Sequence, residues 1–382
     1  MDGALGGDAP IKPDLSLLYR NPFNKLSAHH RPIGGGAEYG VPGGTAKPRD
    51  PNPIYEDPGP FNSRGRLDCV GTFRISNSVG NQKVILWVTP DDPYRIIRPT
   101  PGQAGTNLPT PSQGLRFPIH SPVRLPNDGD GEVALYPRNG GAEDLIDIFF
   151  QFRDNASTAT RRASYPLAID DVWEDTRMDR SIGATGIRWP SGVLRGDEIN
   201  AAVPEPIHHA FNCTATRHGD RGAPTSLHVL GRTMVWPAYS IDKFHNQDDN
   251  QGDIPYGTVI AIRPQDYEKL RKGPGLTARQ KAIVDVFRYY GCRIVDGQGQ
   301  VVNNKAVLQL RTDGRLADDV REEVNAALQA VLPYLYPIRN PRPHRQETEI
   351  WVKDGLPYVG GGGPIDRNSV NNAWDAPKVP PH

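Results

Sequence analysis

Two runs govern the reading of this chain: KVILWVT at residues 83–89 and DLIDIFFQF at residues 144–152. Each is a short, nearly unbroken stretch of β-branched, aliphatic and aromatic residues, the pattern of a buried strand. Residues 77–82 supply a turn before the first, and Pro90 stops it. Working outward, residues 68–76 alternate loosely, residues 132–136 return to strand, and residues 163–169 add an edge. Further strand candidates follow at 187–189, 207–214, 226–235 and 258–263, separated by loops rich in Gly, Asp, Asn and Pro. Many short strands at such spacing predict a mainly β chain of the β-sandwich or jelly-roll type.

Helices are expected only toward the C-terminal side. Residues 276–291 open with Thr277 and Gln280, a capping box, and stop at Gly291. The apolar face of this helix is Ile283, Val284, Val286, Phe287 and Tyr290. Residues 316–332 open on Asp318 and Asp319, which suit the positive end of a helix dipole, and end at Pro333. Ala326, Ala327, Leu328, Val331 and Leu332 crowd its second half. Residues 264–271 form a short third helix.

Gly (40) and Pro (38) make up about a fifth of the 382 residues, against an average near 12%. Both are poor inside helices and common in turns and extended arms. They concentrate in residues 1–65, an arm with recurrent apolar anchors such as Leu15, Tyr19, Phe23, Tyr39 and Phe61, and in residues 333–382, which hold one strand at 349–352. The core is therefore expected over 66–332. An arm with so many anchors lies on a surface, its own or a neighbour's, which gives an expectation of a homo-oligomer or of other structural subunits as partners.

Lys plus Arg and Asp plus Glu are equal at 44 each, without the basic footprint of a nucleic-acid binder. Cys69, Cys213 and Cys292 fit no CxxC spacing and read as small buried hydrophobes. The first twelve residues have no apolar signal core, and no run approaches the ~20 apolar residues of a membrane span. The expectation is a chain without membrane insertion, made in a cytoplasm or already relieved of an export signal, and extracellular or virion-associated after release, otherwise cytoplasmic.

The densest polar–aromatic stretch is PIHHAFNC at 206–213. On a strand, His208, Ala210 and Asn212 would share one face, and His209, Phe211 and Cys213 the other. Arg217, Trp236, Tyr239, Asp242, His245 and Tyr256 follow. Aromatic faces that pack on sugar C–H surfaces, with His, Asn, Arg and Asp to bond hydroxyls or carboxylates, suit a carbohydrate site. The same set suits β-elimination of a uronic acid. There His209 would be the base, Arg217 or Asn212 the stabiliser of developing charge, and Tyr239 or Tyr256 the acid. His208, Asn212, Trp236, Asp242 and His245 would then hold the substrate. The competing reading makes His209 a hydrogen-bonded core histidine and the tyrosines packing. Asp197, Glu198, Asp242 and Asp253 are available for two-carboxylate hydrolysis, although Asp197 reads better as a cap before Ile199.

His29 and His30 read as a solvated or interface loop. No metal ligand set is expected. Calcium is the only cofactor with any pattern behind it, in the NDGDGE loop (Asp128, Asp130, Glu132) and the DDNQGD loop (Asp248, Asn250, Asp253), and neither has EF-hand spacing. Phosphate-loop, HExxH and GxSxG motifs are absent.

Three stretches together carry a resemblance: SAHHRPIGGGAEY (27–39), IHHAF (207–211), and IPYGTVIAI (254–262) with YYGCRIVDGQG (289–299). The set resembles a loosely defined group of bacterial and phage-associated jelly-roll β-sandwich proteins, some of them polysaccharide-active. The resemblance implies a groove with His209 at its mouth. Two functions are thereby expected: a protein that binds or acts on an acidic polysaccharide, with lyase-type elimination preferred over hydrolysis, or a structural protein of a phage particle, at the tail or as a decoration, assembled through its arms.

Overall fold

The computed structural model describes residues 29, 33, 37–40, 43–44, 67–76, 83–88, 94–99, 115–118, 132–137, 145–150, 158–159, 161–166, 185, 187, 189–216, 229–235, 238, 252, 254–273, 275–339, 351–353 and 356–358. In chain order the strands are β1 (Val70–Ile75), β2 (Val84–Val88), β3 (Tyr94–Pro99), β4 (Leu115–Pro118), β5 (Val133–Pro137), β6 (Leu145–Phe150), β7 (Thr158–Ala159), β8 (Arg161–Pro166), β9 (Phe211–Thr216), β10 (Leu230–Met234), β11 (Ile254–Tyr256), β12 (Val259–Ile262), β13 (Cys292–Gln298), β14 (Val301–Val302), β15 (Lys305–Leu310), β16 (Leu335–Pro337), β17 (Trp351–Lys353) and β18 (Leu356–Tyr358). The helices are α1 (Gly196–Ile199), α2 (Pro264–Lys272), α3 (Ala278–Tyr289) and α4 (Asp318–Val331).

Strands dominate, but the central sheet is mixed. Its order is β1-β15-β9-β13-β12-β16, with β14 folded back on β15. β1 runs parallel to β15 and β9 parallel to β13, while β15/β9, β13/β12 and β12/β16 are antiparallel. A jelly roll is built from antiparallel strands, whereas parallel neighbours need long crossovers. Here α2 and α3 lie between β12 and β13, and α4 lies between β15 and β16. The two runs that govern the sequence reading sit elsewhere. β2 and β6 flank β5 in a separate sheet of order β2-β5-β6-β8, whose edge strand β8 overlaps the expected 163–169 but starts two residues earlier and ends at Pro166. β1 and β2 are consecutive yet lie in different sheets, and the turn expected over residues 77–82 lies outside the described residues.

The strand alternation of β9 explains how the central sheet is covered on both faces. Phe211, Cys213 and Ala215 point one way, where Phe211 meets Phe287 of α3 at 5.9 Å between ring centroids and Phe287 meets Phe73 of β1 at 5.6 Å, both edge-to-face. Asn212 points the other way, toward a 3₁₀ turn at Trp189–Gly192. All six residues of β9 are buried. Each large apolar side chain in this cluster contributes about 1.5–3 kcal/mol by leaving water.

α3 forms as its caps dictate. Thr277 Oγ1 accepts from the Gln280 backbone N–H at 3.2 Å, and the Gln280 side chain accepts from Thr277 N–H at 3.0 Å. The helix ends at Gly291, whose φ of +74° only glycine adopts without strain; a Cβ there would also strike Val259. Its expected apolar face is buried in full, whereas on α4 Ala327, Leu328 and Val331 are buried with Val320 and Val324, and Ala326 faces solvent.

The described part of the N-terminal arm clasps its own fold. Ile33 N–H donates to Tyr289 O, Gly40 N–H to Pro337 O and Gly43 N–H to Leu335 O, and Tyr39 bridges Ile338 beside β16. His29, expected in a solvated or interface loop, is instead buried, with its Nε2 2.8 Å from Asn212 Oδ1. The β2 sheet is tied on through Lys83 N–H to Thr312 O at 2.8 Å and through Arg315 to Ile85 O.

Candidate functional site

Residues 207–210 precede β9 instead of belonging to it, so the two histidines sit on a bend. His209 turns inward. Its Nε2 lies 2.9 Å from Glu198 Oε1 and its Nδ1 lies 3.0 Å from Ala210 O, and its ring packs edge-on to Phe211 at 5.7 Å. Both nitrogens face protein oxygens in a buried position, so neither is turned toward a substrate. The mouth-of-groove position expected for His209 is therefore not where the fold puts it.

Glu198 explains why. It lies in α1, and its carboxylate takes the buried Arg195 guanidinium on one side, His209 on the other and Arg195 N–H at 3.0 Å. Burial would raise this carboxyl, but Arg195 and His209 outweigh it and hold the carboxyl below the ordinary value. Glu198, and not Asp197, caps the short helix, and Arg195, the first residue of an Arg-Gly-Asp triplet at 195–197, is interior. Asp313 lies nearby, accepting from Gly196 N–H at 3.1 Å and Arg315 N–H at 3.0 Å, with burial pushing its carboxyl up to about 6.

The other expected site residues divide in three. Asn212 is a core bracket: its Oδ1 meets His29 and its Nδ2 donates to Trp189 O at 2.9 Å. A Cβ on Gly192 would collide with that amide, so this approach needs glycine. Tyr256 is buried in the main apolar cluster. As stabiliser and acid of an elimination both are enclosed, Asn212 within the covered central sheet and Tyr256 within the apolar cluster. Arg217, Trp236, Tyr239, Asp242 and His245 lie outside the described residues. Among the described members of the set, only His208 stands at an opening.

That opening is a cleft of about 390 Å³ between the loop preceding β9 and the helices α2 and α3. Val203, Pro204, Pro206 and Ile207 form one wall with His208. On α2, Tyr267 and Arg271 are four residues apart and share a face. On α3, Ala278, Lys281, Ala282, Asp285 and Tyr289 form one stripe, the face opposite its buried side. Tyr290 closes the floor, its hydroxyl 3.3 Å from His208 Nδ1. Asp285 Oδ1 accepts from Tyr267 Oη at 3.0 Å and from Arg271 Nε at 2.9 Å. The rings of Tyr267 and Tyr289 meet edge-on at 5.7 Å. Burial raises the phenols of Tyr267 and Tyr290, and at Tyr267 Tyr289 and the Asp285 carboxylate add to it. Burial also raises the Asp285 carboxyl, although Arg271, Tyr267 and Lys281 pull against it.

Three tyrosines, a histidine and mixed charges line a depression whose volume falls within the range of small-ligand pockets. The sequence reading missed every member but His208. Arg271, Lys281 and Asp285 have the look of solvated helix surface. The one signal was the concentration of tyrosines at 267, 289 and 290 beside a helical stripe.

The loops read as partial calcium sites lie mostly outside the described residues. The exception is Glu132, which is buried and ion-paired with Lys83. Among the described residues no cluster of three or more His, Cys, Asp or Glu is arranged to hold a metal ion, and no helix is long and apolar enough to cross a membrane. No family model, no curated protein and no solved structure matches the chain.

Proposed function

We infer that the chain is a carbohydrate-binding protein, and that its ligand, a segment of an acidic polysaccharide, lies in the cleft lined by His208, Tyr267, Tyr289 and Tyr290. The observation that carries this reading is the convergence of three tyrosines and a histidine on one depression of about 390 Å³, near the lower end of ligand-pocket volumes. Phenol rings offer flat apolar surface to sugar C–H groups, and His208 and the Tyr290 hydroxyl offer paired donors and acceptors to sugar hydroxyls. Recognition is favoured over elimination because His209, the base that elimination would use, has both ring nitrogens committed inside the protein.

Assembly into a virion-type particle is the other function expected from sequence. It draws on the composition of the arms, and the described arm residues between 29 and 44 bond to their own fold.

The test is a panel of acidic and neutral polysaccharides measured by calorimetry, with unsaturated-uronate absorbance and reducing ends followed in parallel. Saturable binding with neither chemical signal, lost in Tyr290→Ala, is the expected result. Binding unaffected by changes to the cleft, or no binding at all, refutes the reading. Unsaturated product would restore elimination, with a base other than His209.

A further inference from the structure

The geometry points to an anion subsite within this cleft, formed by Arg271 of α2 and Lys281 of α3, that selects acidic over neutral sugar units. The inference rests on the carbohydrate reading above and adds the residues that decide charge.

Three facts converge. Arg271 is fixed by its Nε, which donates to Asp285 Oδ1 at 2.9 Å, while its two terminal amino groups have no partner among the described residues. A guanidinium held by one edge presents the other as a preorganised donor pair, a shape that matches a carboxylate or a sulfate. Lys281 stands one helical turn before Asp285 on the same face and makes no ion pair among the described residues. The wall thus holds two cations against one carboxylate, and Asp285 is already engaged by Tyr267 and Arg271. Among the described lining residues one positive charge is left without a carboxylate, beside the aromatic floor of Tyr289 and Tyr290. A neutral ligand would leave that charge unanswered as it displaced water; an anionic group would be met by charge-assisted hydrogen bonds. With Arg271 already braced, little freedom remains to be lost when it binds, and this favours affinity.

The arginine and the lysine recognise an anionic oxygen cluster, which a uronic acid and a sulfated sugar both present. The experiment separates them. A hexuronate tetrasaccharide, a sulfated tetrasaccharide of neutral hexoses and the uncharged tetrasaccharide are titrated into the full chain, wild type and Lys281→Gln, at low and high salt. Arg271→Gln serves as a second variant, and thermal melts check the fold. At least one charged ligand is expected to bind about tenfold more tightly than the uncharged one, the worth of one charge-assisted contact. That margin shrinks several-fold in Lys281→Gln with the uncharged ligand unaffected, and shrinks with added salt. A margin that persists in both folded variants overturns the subsite, as does equal binding of all three ligands; the latter leaves the carbohydrate reading standing. No binding of any tetrasaccharide overturns both.

Discussion

Glu198 and His209 are joined at 2.9 Å in the interior, and Arg195 completes the pair from the other side of the carboxylate. A carboxylate placed between a guanidinium and an imidazole anchors the bend of residues 207–210 to α1. It turns His209 inward and leaves His208 at the cleft. The link between this interior network and the surface site is thus one peptide long.

Removing one member of a buried ion pair leaves the others uncompensated, at about 3–5 kcal/mol. Glu198→Gln is expected to lower stability by that order at neutral pH. The folded carboxyl lies below its ordinary value, so its contribution is complete above the unfolded value, about 4.3, and fades as pH falls through the folded value. Urea midpoints for both proteins should therefore converge as pH drops below about 4.3; a constant gap down to the acid limb would contradict this assignment.

Asp313 predicts the opposite sign. Its folded carboxyl is raised to about 6 by burial, so the folded protein binds a proton that the unfolded chain has released, and stability falls as pH rises between about 4 and 6. Asp313→Asn keeps the Oδ1 that accepts from Gly196 and Arg315 N–H. The variant should match wild type at pH 4 and gain up to about 3 kcal/mol above pH 6. Chemical unfolding at pH 4 and pH 8 checks it.

His29→Ala strips Asn212 Oδ1 of its 2.8 Å partner in a buried position and releases the arm at that point. A loss of about 1–3 kcal/mol is expected. Hydrogen exchange should quicken at the Ala210 amide, which donates to His29 O. An unchanged exchange rate there would mean that the arm does not depend on this contact.

Thr277→Ala removes the hydroxyl that accepts from Gln280 N–H and donates to Glu323 at 2.8 Å. Loss of such a cap costs about 1 kcal/mol. Thermal unfolding should register it, and Thr277→Ser should restore most of the loss.

Tyr290→Phe keeps the ring and deletes the hydroxyl that meets His208 at 3.3 Å. If a sugar occupies the cleft, affinity should fall about five- to tenfold, and further in Tyr290→Ala, where the aromatic floor goes too. Calorimetric titration with the oligosaccharide found in the panel distinguishes the two.

Individual elements were legible wherever a local rule was strong. The capping box at Thr277 and Gln280 marked the start of α3, the aspartates at 318 and 319 marked that of α4, and the apolar runs located β2 and β6. β13 and β15 escaped notice because Asp296, Gly297, Gln309 and the half-polar KAVLQL pattern dilute the strand signal, and only burial between two covered faces makes them strands. The jelly-roll expectation came from counting strands, and a count carries no pairing information. Whether β1 lies beside β2 or beside β15 depends on contacts more than two hundred residues apart.

The sequence by itself determined that the chain is strand-rich and where α2, α3 and α4 lie, because backbone propensity and capping chemistry act over a few residues. Tertiary structure alone decided that His209 turns inward and His208 stays at the cleft, since Glu198 and Arg195 had to be folded against His209. It also alone decided that Tyr267 and Arg271 of one helix would face Lys281 and Asp285 of another. A cleft is a relation between distant segments, created only when their apolar faces are buried on the same sheet.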